Sequence, residues 1–588
     1  MTMPLVDCHS HIFNAEDLPI DGFIKRLSPR PDILNGIYSV PLDRLTQWVA
    51  TNAGNEAAYL AALLDRSSGL ESGTTAPPPQ NGSPLVSDAE LDQLFLYAWR
   101  ERGLIDEAEL VGGLEGDTDP DAVLVEGILS PEAEADRDEL EAWVLAQGDP
   151  ALEEELAQEA LEGTPNWLVR IRAAKEAARR WLYVLRLATK DRHLVAAEIA
   201  STYPEVALFV PALVDFEYTA RDEPSSPIHR QILAHSLVSK VSIQGKIPDA
   251  PDVRIHPIVG YCPYREIANT ELKEWVPSRG EANPYVPFAE PGSAGPDDRY
   301  RVGLTYDPGR AKFLRPPADP WETGHVLLEG VSRSLDFVRH AVERGGFVGV
   351  KIYPPAGYLP LGNSLRFGTD QGGRLDAALG AMYAYCTAMD VPILAHANAS
   401  NGFADGYDDL AGPDGWRLVL QDFPDLRVCF GHFGHLHEVG ANPSDPPPAS
   451  WVNGFVSLID DHPHVYADVG NSKFPVLASY REGYFEVLRW MLGDDAPNEQ
   501  QARRRQRVMF GTDWWMNTMA PAHREYLTEF AHHYGDGFGT DARDLFMGCN
   551  ALRWLGIVDE QGDPDTSNLN RQRLRDFYGT RPLPEWLA

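Results

Sequence analysis

The sequence predicts an α/β fold in which eight parallel strands close into a (β/α)8 TIM-like barrel, with a large acidic helical insertion between strands 1 and 2. Three observations support this prediction. Short apolar runs of strand type recur along the chain, helix-like segments alternate with them, and negative charge is concentrated in one early stretch. Apolar strands that alternate with helices are typical of a parallel sheet covered on both faces, and eight such units fit a closed barrel.

The first predicted strand stands alone near the start of the chain, and the other seven follow the acidic stretch. The eight apolar runs are Pro4–Cys8, Val206–Val214, Val253–Val259, Phe347–Tyr353, Val391–Ala395, Arg427–Gly431, His464–Val469 and Arg507–Gly511. The helix-like segments between and after them are Val326–Arg344, Leu375–Met389, Trp416–Phe423, Tyr480–Leu492 and Ala522–His533. This order predicts one barrel domain built from residues 1–50 and 195–588.

The acidic stretch Asp88–Glu162 contains 24 acidic and 3 basic residues, which is more than half of the net charge of the chain. Apolar residues recur in it at helical spacing, so we favour a solvated helical insertion over 51–194, with a partner-docking surface as the alternative. The insertion follows strand 1, so it should emerge at the rim where barrel active sites form. We therefore expect it to shape substrate access or a subunit contact, and the sequence leaves a homo-oligomer open.

Composition narrows the classes of function. The 588-residue chain carries a formal charge of −36, and such a field repels phosphate backbones, which argues against general nucleic-acid binding. No run approaches the ~18 consecutive apolar residues of a membrane span. The start, MTMPLVDCHSHIFN, lacks the basic and long apolar segments of a signal peptide. Five scattered cysteines without a C-x-x-C pair favour reduced thiols and a cytoplasmic location over a disulfide scaffold or zinc finger.

The first run leads into two histidines, His9 and His11, in the string Asp7-Cys8-His9-Ser10-His11. Residues i and i+2 of a strand point to the same face, so both imidazoles should aim at one point at the C-terminal mouth of the barrel. Two neutral imidazoles on one face make half of a transition-metal site. An isolated H-x-H is weak evidence, and its value here depends on partners elsewhere.

Such partners follow three later runs. His396 follows the run that ends at Ala395, His432 follows the run that ends at Gly431, and Asp513 follows the run that ends at Gly511. Any one of them alone is better explained as a core histidine or a capping aspartate. Together they predict that separate strands deliver imidazoles and one carboxylate to a common rim.

These residues resemble the motifs of the amidohydrolase superfamily. The likeness rests on His9-x-His11, His396, Gly431-His432-x-Gly434 and Gly511-Thr512-Asp513, and on the terminal segment Gly548–Gly556 (GCNALRWLG). The most similar branch is the amidohydrolase-related group, which contains metal-dependent hydrolases and aminocarboxymuconate-semialdehyde-type decarboxylases. The resemblance covers roughly residues 1–20 and 200–560, and it does not extend to the acidic insertion.

The resemblance implies that His9, His11, His396 and Asp513 bind one divalent metal ion, most often Zn²⁺, with Mn²⁺ as the alternative. It also implies that His432 is the catalytic histidine of the sixth strand. The chemistry agrees, because a bound metal acidifies water, Asp513 can accept its proton, and a nearby imidazole can assist an oxyanion or shuttle a proton.

Lys351, in the string GFVGVKIYPPAGY, leaves three roles open. In binuclear members of the superfamily a lysine here is carboxylated and bridges two metals, and the Lys-x-Tyr-Pro string resembles dihydroorotase-type enzymes. In the mononuclear branch it binds a substrate carboxylate. We favour substrate contact over carboxylation, and carboxylation over a structural ion pair.

Six further residues each have two interpretations. Asp468 orients either a ligand or a backbone turn. Arg254 and His256 suit an anionic substrate if they point inward, and a structural role otherwise. Trp514, Trp515 and Tyr353 stand beside motif residues and could form a pocket wall, although plain packing is the default for aromatics.

The sequence contains no G-x-G-x-x-G after a strand, P-loop, H-E-x-x-H or G-x-S-x-G motif. The converging histidines and aspartate, together with the resemblance, predict a metal-dependent hydrolase that cleaves a C–N or C–O bond of a small substrate, with or without a carboxylate. The alternatives are a metal-dependent non-oxidative decarboxylase of an unsaturated or aromatic acid and, third, a non-catalytic barrel that serves as an interaction module.

Overall fold

The computed structural model describes residues 4–14, 17, 56–65, 183–184, 187–188, 190–216, 228–269, 333–399, 404, 406–434, 451–471, 478–494, 496–518 and 523–588. The acidic stretch 88–162, and most of the predicted insertion over 51–194, lie outside these residues. The insertion therefore remains a prediction.

The described part of the chain contains nine short strands, and every pairing between them is parallel. They are β1 (Leu5–Ser10), β2 (Val206–Pro211), β3 (Arg254–Ile255), β4 (Ile258–Gly260), β5 (Gly349–Ile352), β6 (Ile393–His396), β7 (Val428–Gly431), β8 (Val465–Asp468) and β9 (Val508–Met509). Each of the eight predicted runs overlaps a strand. The strands follow one another in chain order, as two sheets, β1 to β3 and β4 to β9.

The third predicted run is split into β3 and β4 at His256 and Pro257. Proline has no N–H to donate to a sheet ladder, so it interrupts the strand. β3 pairs with β2, and β4 pairs with β5. The backbone N–H of Leu213 donates to the carbonyl of Ile258 over 2.9 Å, which connects the two sheets across this break.

The other gap, between β9 and β1, is closed by backbone hydrogen bonds at the ends of the two strands. Cys8 N donates to Phe510 O over 3.3 Å, and Asp513 N donates to His9 O over 2.6 Å. Eight parallel strand positions thus form a ring, which is the predicted α/β TIM-like fold.

Helices alternate with the strands and cover the ring. They are α1 (Glu56–Asp65), α2 (Arg192–Thr202), α3 (Ile228–Ile243), α4 (Pro263–Asn269), α5 (Ser334–Arg344), α6 (Asn363–Phe367), α7 (Gln371–Ala388), α8 (Pro413–Asp422), α9 (Trp451–Asp461), α10 (Ala478–Leu492), α11 (Glu499–Arg505), α12 (Trp514–Asn517), α13 (Tyr526–Phe538), α14 (Thr540–Asp544), α15 (Asn550–Trp554) and α16 (Leu569–Tyr578). In the parts of the chain that the structure describes, no helix is long and apolar enough to cross a bilayer.

The strands are buried on both faces, which explains their continuous apolar runs. A surface helix such as α5 instead buries one stripe, Leu335, Phe337, Val338, Ala341 and Val342. The terminal GCNALRWLG segment has a structural role at β9. Asn550 Nδ2 donates to the carbonyls of Arg505 and Val508, each over 2.8 Å, and so fixes the chain on both sides of the entry to β9.

The first helix of the predicted insertion packs into the barrel. Leu60 of α1 is fully buried in the common core, and α1 lies against α3. Glu56, at the start of α1, accepts hydrogen bonds from the backbone and the guanidinium of Arg192. Helices α1 and α2, which flank the acidic stretch, are therefore attached to the body of the protein.

Candidate metal centre

His9 and His11 lie at the C-terminal end of β1 and are both buried. His9 Nδ1 is 3.2 Å from both carboxylate oxygens of Asp468, and His11 Nδ1 is 2.6 Å from the carbonyl oxygen of Ala212. Both partners are acceptors, so each neutral imidazole carries its proton on Nδ1 and presents the lone pair of Nε2. This is the tautomer that a metal ligand requires.

Asp513 follows β9 and brings a carboxylate to the two imidazoles. Its backbone is left-handed, with φ of 49°, and its N–H donates to His9 O. Asp513 Oδ1 is 3.0 Å from His11 Nε2 and 4.0 Å from His9 Nε2. A non-glycine residue in this conformation is uncommon and costs energy, so the hydrogen bond to the end of β1 helps to hold it.

Among the residues that the structure describes, one group of side chains has the spacing of a metal site: His9, His11 and Asp513, whose donor atoms lie within 4.8 Å of one another. Asp513 Oδ1 is buried and receives no hydrogen bond from the described chain. It faces the lone pair of His11 Nε2, because Nδ1 of that ring holds the proton. A cation between the two atoms satisfies both, so these residues fit a divalent metal.

Burial and neighbouring charges set the protonation states of the centre. Burial alone would raise the pKa of Asp513, but the neighbouring imidazoles, that of His11 first, outweigh it and hold the pKa well below its usual range. Burial lowers the pKa of His9, and the nearby Lys351 lowers it further. Burial also lowers the pKa of His432, to about 4. Near neutral pH the carboxylate is thus ionised and these two imidazoles are neutral, as metal binding requires.

His396 and His432 lie beside the three-residue group and contact each other. His396 Nδ1 is 3.2 Å from His432 Nε2, and the ring centroids are 4.8 Å apart. His432 Nδ1 is 2.9 Å from the carbonyl oxygen of Gly470 and 4.0 Å from Asp513 Oδ2. Of the four ligands that the resemblance implies, the structure groups three, and His396 adjoins them through His432.

Lys351, on β5, is 2% exposed and lies inside the barrel mouth. Its Nζ is 3.2 Å from His9 Nε2, the atom that faces the centre. Burial lowers the pKa of Lys351, although the charges of Asp513 and Asp468 partly oppose this. The contact with an imidazole places Lys351 in the site itself.

Three glycines pack against His9, where a larger residue would collide with its side chain. A Cβ on Gly511 would come within 2.9 Å of His9 Cβ, one on Gly431 within 3.1 Å of His9 Cε1, and one on Gly470 within 3.2 Å of His9 Nδ1. Two of them belong to the Gly-His and Gly-Thr-Asp motifs. Their presence follows from close packing against the ligand rather than from turn geometry.

Asp7 was not predicted as a site residue. It accepts hydrogen bonds from Thr512 N over 3.0 Å and from Thr512 Oγ1 over 2.6 Å, and so fixes the residue before Asp513. Burial raises the pKa of Asp7 to about 7. The sequence feature that could have identified Asp7 is its position inside an otherwise apolar strand. A buried carboxyl at such a position needs a specific hydrogen-bond partner.

Arg254 and His256, two residues left open by the sequence, have structural contacts. Arg254 Nη1 donates to backbone carbonyls, including that of Ser242 over 3.1 Å. His256 contacts Gly346 O over 3.2 Å and Tyr578 Oη over 3.1 Å. These partners belong to helices and loops around the barrel, so neither residue joins the metal centre.

Aromatic rings line the edge of the centre. Phe13 stacks on His11 with centroids 4.3 Å apart, and Trp515 meets Phe13 edge-on at 6.4 Å. On the other side Tyr353 lies 4.5 Å from His396. Trp515 and Tyr353 therefore lie next to the site, and both Trp514 and Trp515 are buried.

Comparison with solved structures gives three distant similarities. An uncharacterised TIM-barrel protein from Bordetella bronchiseptica has 18% identity and a TM-score of 0.25, over 38% of this chain and 61% of the other. An amidohydrolase from Burkholderia multivorans has 12% identity and a TM-score of 0.35, over 63% and 91%. A protein described as a metal-dependent hydrolase, from Lactobacillus casei, has 13% identity and a TM-score of 0.33, over 67% and 86%.

The chain thus spans less than two thirds of the Bordetella protein. No curated protein matches the sequence. The family model described as Amidohydrolase matches residues 310–557, which include the segments that carry Lys351, His396, His432 and Asp513. This part of the chain, residues 310–557, is therefore similar to the amidohydrolase family.

Proposed function

We propose that this protein is a metal-dependent hydrolase that cleaves a C–N or C–O bond, such as that of an amide, ester or lactone, in a small substrate. The observation that carries the proposal is the buried group of His9, His11 and Asp513, in which a carboxylate oxygen faces an imidazole lone pair. One Zn²⁺ ion is the preferred occupant, with Mn²⁺ as the alternative, because Zn²⁺ favours mixed imidazole and carboxylate donors.

A divalent ion in this group would supply Lewis acidity, which polarises a carbonyl and acidifies water. Asp513 is ionised near neutral pH, so its carboxylate can accept the proton of the attacking water. His432 is neutral near pH 7, and the tautomer set by Gly470 leaves its Nε2 free of a proton. That nitrogen can take up a proton during the reaction and return it to the leaving group.

His396 is proposed as the fourth ligand, although its Nδ1 points at His432. Its second ring nitrogen is then the atom that would face the ion. Lys351 is proposed to bind a substrate carboxylate, because its amine is buried in the same mouth and 3.2 Å from His9. A buried ammonium is a strong partner for a carboxylate, since such a pair is weakly screened.

A non-oxidative decarboxylase is the second candidate, and the same lysine favours it. An ammonium beside the metal ligands could hold the carboxylate that is lost as CO₂. Assay of the metal-loaded protein against amides, esters, lactones and unsaturated or aromatic acids separates the two reactions. Hydrolysis without CO₂ supports the hydrolase, and CO₂ release without hydrolysis supports the decarboxylase.

Metal analysis tests the centre itself. We expect close to one Zn²⁺ or Mn²⁺ per chain in the purified protein, and its loss in His11→Ala. A matched control is His533→Ala, since His533 pairs with Glu529 on the outer helix α13 and should leave metal content unchanged. Protein that binds no divalent metal after loading would contradict the proposal and favour a non-catalytic barrel.

A further inference from the structure

Asp468, the last residue of β8, accepts hydrogen bonds from two different strands of the barrel. Both of its oxygens lie 3.2 Å from His9 Nδ1, on β1. Oδ1 also accepts the backbone N–H of His432, beyond β7, over 3.3 Å. One fully buried carboxylate thus contacts a proposed ligand and the proposed proton-transfer residue.

The residues beside Asp468 complete this arrangement. Gly470 N donates to Asp468 Oδ1 over 2.8 Å, and Gly470 O accepts from the ring of His432 over 2.9 Å. Cys429, on β7, donates its thiol to Oδ2 over 3.4 Å. The segment Asp468–Gly470 therefore holds His432 at its backbone and at its ring, and the contacts around Asp468 fix the carboxylate in turn.

The backbone of His432 explains why such support is needed. His432 has φ of 65° and the next residue, Phe433, has φ of 44°, so two consecutive non-glycine residues are left-handed. This conformation is unfavourable for residues with a side chain and persists only where the surroundings impose it. The hydrogen bond from His432 N to Asp468 is one of those constraints.

We propose that Asp468 is the positioning residue of the metal centre, and that it sets the tautomer and direction of His9 together with the backbone of His432. This inference rests on the proposed metal site. A carboxylate partner fixes the Nδ1–H tautomer of a ligating imidazole and increases the basicity of Nε2. Asp468 therefore acts on metal affinity through His9 and on proton transfer through His432, and it needs no contact with substrate.

The experiment is a competition titration in which apo protein and a chelator compete for Co²⁺, combined with the visible absorption spectrum of the bound Co²⁺. We expect Asp468→Asn to weaken Co²⁺ binding about 10- to 100-fold, the range for removal of a ligand's hydrogen-bond partner, and to change the spectrum because His9 turns. Asp468→Ala should bind more weakly still, because an amide retains an acceptor and a methyl group does not.

The matched control is Asp376→Asn. Asp376 is also a buried carboxylate, and it accepts three hydrogen bonds from Asn363 and Ser364 at 2.8–2.9 Å, between helices α6 and α7. Its substitution should lower the thermal midpoint of the apo protein but leave Co²⁺ affinity within about threefold. This control separates a general loss of protein stability from a specific loss of His9 positioning.

Gly470→Ala keeps the proposal testable if Asp468 variants fail to fold. Its new Cβ would lie 2.9 Å from Asp468 Oδ1 and 3.2 Å from His9 Nδ1, so it displaces the carboxylate without removing its charge. We expect at least tenfold weaker Co²⁺ binding. If the folded variants have the Co²⁺ affinity and spectrum of wild type, the role of Asp468 is overturned but the metal site is not. If wild-type protein binds no Co²⁺, the proposed function itself is overturned.

Discussion

At the scale of single residues, His9 is the most constrained side chain of the site. Asp468 holds its Nδ1, Lys351 lies 3.2 Å from its Nε2, and its backbone carbonyl accepts the N–H of Asp513. Gly511 packs against its Cβ. The imidazole therefore has little freedom, and a change of one methyl group beside it should be measurable.

We predict that Gly511→Ala weakens metal binding at least tenfold and destabilises the fold by about 1–3 kcal/mol, the usual cost of overpacking. The new Cβ would approach His9 Cβ to 2.9 Å, so the ligand must move. Isothermal titration with Zn²⁺ and denaturant unfolding measure the two effects. Gly537→Ala, in helix α13, meets no atom of the described chain within 4 Å and should stabilise the protein slightly while leaving binding unchanged.

Lys351 offers the second prediction at this scale. Lys351→Met should leave close to one metal per chain but lower kcat/KM for a carboxylated substrate about 100-fold, which corresponds to loss of a charge-assisted hydrogen bond worth roughly 3 kcal/mol. Metal analysis and steady-state kinetics check the two halves. Two metals per wild-type chain that depend on bicarbonate during expression, and that fall to one in the variant, would instead show a bridging carboxylated lysine.

Some of these residue-level features were predictable from the sequence and others were not. His9, His11 and Asp513 follow apolar strands that must share a rim, so their convergence follows from parallel barrel geometry. Asp7 was not predicted, and for Asp468 the choice between orienting a ligand and orienting a turn stayed open, because both residues lie on the strands themselves and which face of a short strand they occupy depends on local irregularity. Between Asp7 and Ser10 the register of β1 against β2 shifts, which a strict two-residue alternation does not anticipate.

At the scale of elements, a buried ion cluster joins three segments that are distant in sequence. The Arg192 guanidinium, at the start of α2, donates to Asp17 over 2.8 and 2.9 Å and to Glu56 at the start of α1. All three side chains are at most 2% exposed. Two carboxylates and one guanidinium thus fix the loop after β1 and the helices on either side of the predicted acidic insertion.

We predict that Arg192→Met destabilises the protein by about 3–5 kcal/mol, because it leaves two buried carboxylates without their cation. Urea unfolding at neutral pH measures the effect. Lys190→Met is the matched control two residues away. Its partner Glu198 lies at 2.9 Å, but both side chains are about a quarter exposed, so the pair should contribute only about 0–1 kcal/mol. Equal effects of the two substitutions would contradict the assignment of the cluster as an anchor.

The positions of the strands could largely be predicted from the sequence. Strands buried on both faces have apolar runs that locate them within a few residues, and all eight runs overlap a strand. The break at Pro257 was visible as a proline, but its consequence was not predicted. The order of the ring then follows from chain order, because successive βα units place each strand beside the last.

At the scale of the whole molecule, His256 connects the barrel wall to the last helix. It lies between β3 and β4, contacts Gly346 O and the hydroxyl of Tyr578 in α16, and is fully buried. Burial lowers its pKa to about 4. Burial also lowers the pKa of His193 to about 4, that of His235 to about 3 and that of His340 to about 4. Several imidazoles are therefore kept neutral by the fold at distant points.

Buried neutral histidines should make the stability of the metal-free protein depend on pH below neutrality. An unfolded histidine takes up a proton near pH 6.5, whereas folded His256 does so only near pH 4. Between these values the unfolded state binds more protons, so the free energy of unfolding decreases as the pH falls. The contribution of His256 is fully present above about pH 6.5 and on the order of 3 kcal/mol of it is lost by about pH 4.

His256→Gln removes this titration and keeps a polar group for Tyr578. We predict that the variant is less stable than wild type at pH 7.5, because the amide fits the imidazole site imperfectly, but that its stability falls less steeply between pH 6.5 and 4.5. Denaturant unfolding at several pH values in the presence of EDTA measures both curves without interference from metal binding. Parallel curves would mean that His256 already takes up its proton in the folded protein, contrary to the burial that its contacts indicate.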